Sequence, residues 1–154
     1  MAHRDFMAQA LSLAEKAYAL GEVPVGAVIV YKDTVIAQGY NCRETQNNAL
    51  CHAEIVAIDA ACKALGSWRL KDCTLYVTLE PCIMCTGAII NSRIKRVVFA
   101  SIDFKAGGMG GLCQLTTLPL NHRPDVIMGV MEEECSEVLQ RFFRELRAKD
   151  KGED

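Results

Sequence analysis

Thr74-Leu75-Tyr76-Val77-Thr78-Leu79-Glu80-Pro81-Cys82-Ile83-Met84-Cys85 is the stretch on which the fold of this chain turns. Its first six residues are β-branched, aromatic or leucine and read as a buried strand. Pro81 suits the first turn of a following helix, where its missing N–H would have no partner in any case. That helix runs to about Asn91, and Arg96-Val97-Val98-Phe99-Ala100 reads as the next strand. Strand, short helix, strand implies a right-handed parallel crossover. Cys82 and Cys85 stand three residues apart at the helix start, so their side chains share a face and can grip one ion.

Working outward toward the N-terminus, a helix over about Cys51 to Leu65 is closed by Gly66, with Ile55, Ile58, Cys62 and Leu65 as its apolar stripe. Before it lie two strands, Val25 to Tyr31 and Thr34 to Tyr40, turned by Lys32-Asp33, and a polar connection from Asn41 to Asn48. A first helix carries Phe6, Met7, Ala10, Leu11, Ala14, Ala17 and Tyr18 at helical spacing and stops at Gly21. Toward the C-terminus, Gly107-Gly108-Met109-Gly110-Gly111 reads as a loop. A short strand near Val126-Ile127-Met128 and a helix from about Glu132 to Lys149 complete the chain. The fold class is α/β, a mixed sheet covered by helices on both faces.

His52-Ala53-Glu54 opens one helix and Cys82-Ile83-Met84-Cys85 opens another, so two helix N-termini converge with their partial positive charge. That field favours thiolate, the form that binds metal. His52, Cys82 and Cys85 are three zinc-ligand side chains, and a catalytic zinc site leaves its fourth position to water. Glu54, two residues from the histidine, is placed to move protons there. Alone, Cys82-x-x-Cys85 would also suit a redox dithiol, and His52-x-Glu54 would suit a polar helix start. Cys51 could close the site only if it shared a direction with His52, but successive helix side chains diverge by about 100°. Cys42, Cys73 and His122 could reach the metal only through tertiary approach.

The 154 residues suit one domain with a core of its own, and 51% of them are hydrophobic. No apolar run spans a bilayer, and Met1-Ala2-His3-Arg4-Asp5-Phe6 lacks the pattern of a secretory signal, so a soluble cytoplasmic protein is expected. Most of the eight cysteines then read as buried thiols, with Cys62 and Cys135 on apolar helix positions. A net charge of −2 argues against indiscriminate polyanion binding. Basic residues nevertheless crowd at Arg141, Arg144, Arg147, Lys149 and Lys151, and at Arg93, Lys95 and Arg96. Taken alone, such runs are more often a solvated helix face than a nucleic-acid footprint.

The pattern H-x-E followed by P-C-x-x-C is the known signature of zinc nucleobase deaminases. Here it is His52 to Glu54 and Pro81 to Cys85, and its flanks narrow the match. Gly21-Glu22-Val23-Pro24-Val25-Gly26-Ala27-Val28, Asn41-Cys42-Arg43-Glu44-Thr45, Leu65-Gly66-Ser67-Trp68-Arg69-Leu70, Asn121-His122-Arg123 and Phe142-Phe143-Arg144-Glu145-Leu146-Arg147 together resemble the bacterial tRNA-specific adenosine deaminases, within the cytidine deaminase-like superfamily. The resemblance covers nearly the whole chain. Departures are Cys51 in place of the commoner alanine, Ser101-Ile102 in place of a small pair, and Met109 within the glycine loop.

This resemblance implies a cytidine deaminase-like three-layer α/β/α fold around a central mixed five-stranded sheet. Residues 1–154 would be a single zinc-dependent deaminase domain whose C-terminal helix ends in the basic segment 141–151. It implies hydrolytic conversion of adenosine to inosine at the wobble position of a tRNA anticodon, with one Zn2+ per subunit held by His52, Cys82 and Cys85. Glu54 would take a proton from water, protonate N1 and then the departing amine. Asn41, Ala53, Pro81 and, more weakly, Asn121 would contact the flipped base, although without the resemblance Asn41 reads first as a turn residue. Phe142, Phe143 and Arg144 would meet neighbouring nucleotides, while Leu139, Phe142 and Leu146 also stand at core-facing spacing. A homodimer with substrate contacts from both subunits is expected. The core motif would equally fit guanine, deoxycytidylate or riboflavin-pathway deaminases, and a non-catalytic zinc-stapled RNA-binding module would retain the ligands with no use for Glu54.

Overall fold

Alternation along the strands builds two cores, one on each face of a single sheet. The computed structural model describes residues 2–152, in the order α1 (His3–Ala19), β1 (Gly26–Tyr31), β2 (Thr34–Tyr40), α2 (Ala53–Leu65), β3 (Cys73–Leu79), α3 (Ile83–Asn91), β4 (Arg96–Ser101), a 3-10 turn (Leu115–Thr117), β5 (Asp125–Met128) and α4 (Glu132–Gly152). The strand order is β2-β1-β3-β4-β5. β1 pairs antiparallel with β2 and β3, whereas β3, β4 and β5 run parallel. This is the mixed five-stranded sheet and the parallel crossover expected.

Ala27, Ile29, Leu75, Val77, Val97 and Phe99 point to one face, packing with Ala53, Ala57, Ala61 and Ile89 of α2 and α3. Val28, Val30, Tyr76, Val98 and Ala100 point to the other, against Phe6, Met7, Ala10 and Leu13 of α1 and Cys135 of α4. The period of two thus produces three layers. Lys32 and Asp33 both adopt positive φ, 50° and 61°, as the tight turn between β1 and β2 requires. Gly66 ends α2 in the left-handed region, its N–H donating to the carbonyls of Cys62 and Lys63.

Three expectations shift. Helices α2 and α3 begin at Ala53 and Ile83 rather than Cys51 and Pro81, because His52 and Cys82 are extended N-cap residues. The buried face of α2 is Ala53, Glu54, Ala57 and Ala61, while Ile55, Ile58, Cys62 and Leu65 are half-buried beside it. Small residues win that face because α2 lies almost on the backbone of β2. A Cβ at Gly39 would sit 2.8 Å from Ala57 N and nearer still to the Ala53 carbonyl. Finally, α4 buries Cys135, Val138 and Leu139 but leaves Leu146 exposed. Among the described residues no helix is long and apolar enough to cross a membrane.

Candidate active site

The extended backbone at two helix caps brings the candidate ligands together. His52 (φ −80°, ψ 152°) precedes α2 and Cys82 (φ −71°, ψ 179°) precedes α3. The carbonyl of each still accepts the first helical hydrogen bond, from Val56 at 3.1 Å and from Thr86 at 2.8 Å. Cys85 lies one turn into α3 and is fully buried. His52 Nδ1 stands 3.6 Å from Cys82 Sγ and 3.5 Å from Cys85 Sγ. A tetrahedral zinc bound at ordinary Zn–N and Zn–S lengths holds its nitrogen and sulfur ligands about 3.6 Å apart, so the donors fit that ion in type and spacing. Among the described residues no other group of three such side chains comes together. Cys51 stays out of the cluster, and its carbonyl accepts the Cys42 N–H at 3.0 Å.

Hydrogen bonds from Cys85 and then His52, working against burial, hold the Cys82 thiol down at about 4, which makes it a thiolate at neutral pH. The adjacent Cys82 sulfur, with burial, pushes the Cys85 thiol up. Two sulfurs this close resist sharing negative charge, and a divalent cation between them removes the conflict. Glu54, 4% exposed in the first turn of α2, has its carboxyl pushed up to about 7, chiefly by burial. A group titrating there can both accept and return a proton near neutrality.

His52, Glu54 and Cys82 form the floor of a 520 Å³ cavity walled by Val25, Asn41, Asp103, Phe142 and Phe143. Asn41 Oδ1 accepts the Ala53 N–H at 2.9 Å, which leaves its amide NH2 as the free donor. A second cavity of 860 Å³ lies alongside, sharing Val23, Leu79, Asp103 and Phe143, and adding Phe104, Lys105, Arg144 and Arg147.

The structure therefore brings Asn41, Phe142 and Phe143 to the candidate ligands and Arg144 to the adjoining cavity. Ala53 and Pro81 are buried and line neither cavity, with backbone groups already engaged: the Ala53 N–H donates to Asn41, and the Pro81 carbonyl accepts Gly108 N–H at 2.8 Å. Asn121 lies outside both cavities, on an exposed bend beside His122, whose Nε2 meets the Ile94 carbonyl before β4. Phe142 serves packing as well, edge-on to Tyr18 at 5.8 Å. Arg141 leaves the basic cluster, pairing with Glu15 at 3.1 Å and lying over Tyr18.

Two carboxylates were not foreseen. Glu22, 2% exposed, accepts the N–H and hydroxyl of Thr45 at 2.6 and 2.5 Å and the Glu44 N–H at 3.2 Å. It thereby pins the connection that starts at Asn41. Glu80, also 2% exposed, does the same for the glycine loop. The available signal is an acidic residue set among apolar neighbours, Glu22 beside Val23 before β1 and Glu80 between Leu79 and Pro81 after β3.

Residues 1–147 match the family model of the MafB19-like deaminases. The chain is 51% identical to the tRNA-specific adenosine deaminase of Bacillus subtilis, over 96% of this chain and 92% of that one. It is similar to a structure from a study of A-to-I editing by tRNA:A34 deaminases at the wobble position. There the TM-score is 0.86, with 43% identity over 88% of this chain and 99% of that one. A guanine deaminase from Bacillus subtilis is more distant, with a TM-score of 0.65 and 35% identity over 92% of this chain and 94% of that one.

Proposed function

We propose, since the chain belongs to the MafB19-like deaminases and within them to the tRNA-specific adenosine deaminases, that it hydrolyses adenosine to inosine at the wobble position of a tRNA anticodon. One observation carries this reading: three zinc-type donors cluster, and two of them, His52 and Cys82, share the floor of one cavity with a buried proton-handling carboxylate. His52, Cys82 and Cys85 would hold one Zn2+ per subunit in a single deaminase domain. When bound, that ion supplies Lewis acidity, lowering the pKa of water at its open position.

Glu54 accepts the proton of the attacking water and delivers it to adenine N1. A second proton passes through Glu54 to the amine, which leaves C6 as ammonia. Its elevated titration suits both steps. Asn41 orients the ring by donating from its NH2 to a purine acceptor, because its carbonyl oxygen is tied to Ala53. A base in a single-stranded loop leaves its stack at little cost, and its neighbours then fall to Phe143 and Arg144 in the adjoining cavity. The cytoplasm, where tRNA is matured, is the matching compartment.

A homodimer is part of the same proposal. Leu50, Ile83, Leu112, Leu118 and Leu120 are exposed on and around α2, α3 and the turn that packs on α3. Asn121, which lines neither cavity of its own chain, would meet substrate from across the subunit boundary. The decisive experiment incubates the zinc-loaded protein with an unmodified tRNA bearing adenosine at the wobble position and sequences for inosine. Parallel arms measure ammonia release from guanine, cytosine and deoxycytidylate. Inosine with wild type and none with Glu54→Ala, at equal zinc content, is the expected result. Release from a free base instead would replace the reading with that of a free-base deaminase.

A further inference from the structure

The glycine-rich loop is explained neither by the ligand set nor by the proton path, and its shape traces to one side chain. Glu80 Oε1 accepts the Asp103 N–H at 3.1 Å, and Oε2 accepts the N–H groups of Met109 at 2.8 Å and Gly111 at 3.0 Å. The carboxylate is buried, and among the described residues no lysine or arginine pairs with it. Backbone donors alone must therefore replace its hydration, and charge-assisted bonds of this kind are about twice as strong as neutral ones.

The glycines follow from that grip. A Cβ at Gly111 would lie 2.6 Å from Glu80 Oε1, and one at Gly107 would lie 2.6 Å from the Asp103 carbonyl and closer still to the carboxylate. The loop also closes on the next two residues: Gly108 N–H donates to the Pro81 carbonyl at 2.8 Å, and Gly107 bridges to Cys82. The held segment is the partition between the two cavities. Asp103 walls both, Ala106 the first, and Ile102, Phe104 and Lys105 the second. Because Asp103 is itself one of the three donors, any movement of the carboxylate moves the shared wall.

We propose that Glu80 is a positioning residue, whose buried carboxylate sets the Asp103–Gly111 loop as the wall that fixes where the target nucleotide and its neighbour sit. The proposal rests on the tRNA reading for what touches that wall, and on nothing further for the grip itself. Both carboxylate oxygens are committed to backbone donors, so Glu80 is not a second proton carrier. Its influence falls on substrate binding rather than on the chemical step.

The test compares Glu80→Gln, Glu80→Asp and Gly111→Ala with wild type, all as full-length zinc-loaded protein. Glutamine keeps the shape of Glu80 but sets an NH2 against an N–H donor in either orientation. Gly111→Ala disturbs the same grip from the loop side, with Glu80 intact. Backbone amide exchange at Asp103, Met109 and Gly111 should accelerate in Glu80→Gln and Gly111→Ala, with zinc stoichiometry unchanged. Half-saturation for an anticodon stem-loop in single-turnover deamination should rise about tenfold, because binding must then order a wall that the wild type holds pre-formed. The rate at saturation should change only a few-fold, and Glu80→Asp should restore part of the affinity. Faster exchange with unchanged half-saturation, a saturated rate that falls as far as the affinity, or unaltered exchange would each overturn the proposal. If wild type made no inosine, the substrate reading would fail, and exchange alone would still decide the grip.

Discussion

Replacing Gly39 with alanine would test whether the sheet sets the position of the helix that carries the chemistry. The new Cβ would lie 2.8 Å from Ala57 N and 3.0 Å from Val56 Cβ, and nearer still to the Ala53 carbonyl oxygen. These atoms belong to the helix backbone or are fixed to it, so no rotamer relieves the overlap. Ordinary packing distances return only if the first turns of α2 lift by about 1 Å. Overpacking of this kind costs about 1–3 kcal/mol of stability. A displacement of about 1 Å at the reacting groups lowers a rate about 100-fold. Gly26→Ala is the matched control: its Cβ would lie 2.6 Å from Ala14 N and 2.8 Å from Leu13 Cβ, on α1 across the sheet. Both variants should lose similar stability in urea titrations read by circular dichroism. Only Gly39→Ala should lose single-turnover deamination and zinc affinity, since His52 and Glu54 move with α2. A folded Gly39→Ala protein with wild-type zinc affinity and rate would refute the argument, as would equal inactivation of Gly26→Ala.

Cys82→Ser and Cys85→Ser should each release zinc, because hydroxyl replaces thiolate poorly, whereas Cys51→Ala should keep both metal and turnover; metal analysis after gel filtration distinguishes them. Arg144→Gln with Arg147→Gln should weaken tRNA binding and lower the slope of log K against log salt by about 0.7–0.9 for each phosphate no longer neutralised, with little change in the saturated rate. An unchanged salt series would make that helix end a solvated face. Burial pushes the Glu22 carboxyl up, but hydrogen bonds from Thr45 and Glu44 outweigh it and hold the group below its ordinary value of 4.5. Its stabilisation of the 42–48 segment is therefore complete above that value and lost as pH falls through the lower folded one. Glu22→Gln should abolish this acid-dependent step in the proteolytic nicking of the segment, and a step that persists would assign it elsewhere.

What could be read from the chain was what local spacing decides. Alternation places the central strands, Lys32-Asp33 turns the hairpin, and two short motifs pick out the three side chains that cluster because each needs only its own helix start. Tertiary proximity was not legible. Glu22 and Glu80 looked like ordinary charged positions, since their partners are backbone amides more than 20 residues away. The buried face of α2 was misplaced because alanine carries little periodic signal, and only the close approach of Gly39 makes it the inner face. Leu146 has core spacing, but it faces the first cavity and stays exposed there. Asn121 sat in a matching motif, and no local rule could say that its own cavity lies elsewhere.

Helix α4 is clamped along its first half and tied by a single aromatic contact beyond it. Cys135, Val138 and Leu139 sit in the core and Phe142 meets Tyr18, while Phe143 to Arg147 extend from there as a cantilever along the two cavities. A cantilever of this kind transmits phase. One residue inserted between Leu139 and Phe142 would turn everything downstream by about 100° and advance it by about 1.5 Å. The aromatic and guanidinium groups would swing off the cavities with every ligand still in place. The count of residues in that helix thus determines what faces the two cavities as much as the identity of the side chains it carries.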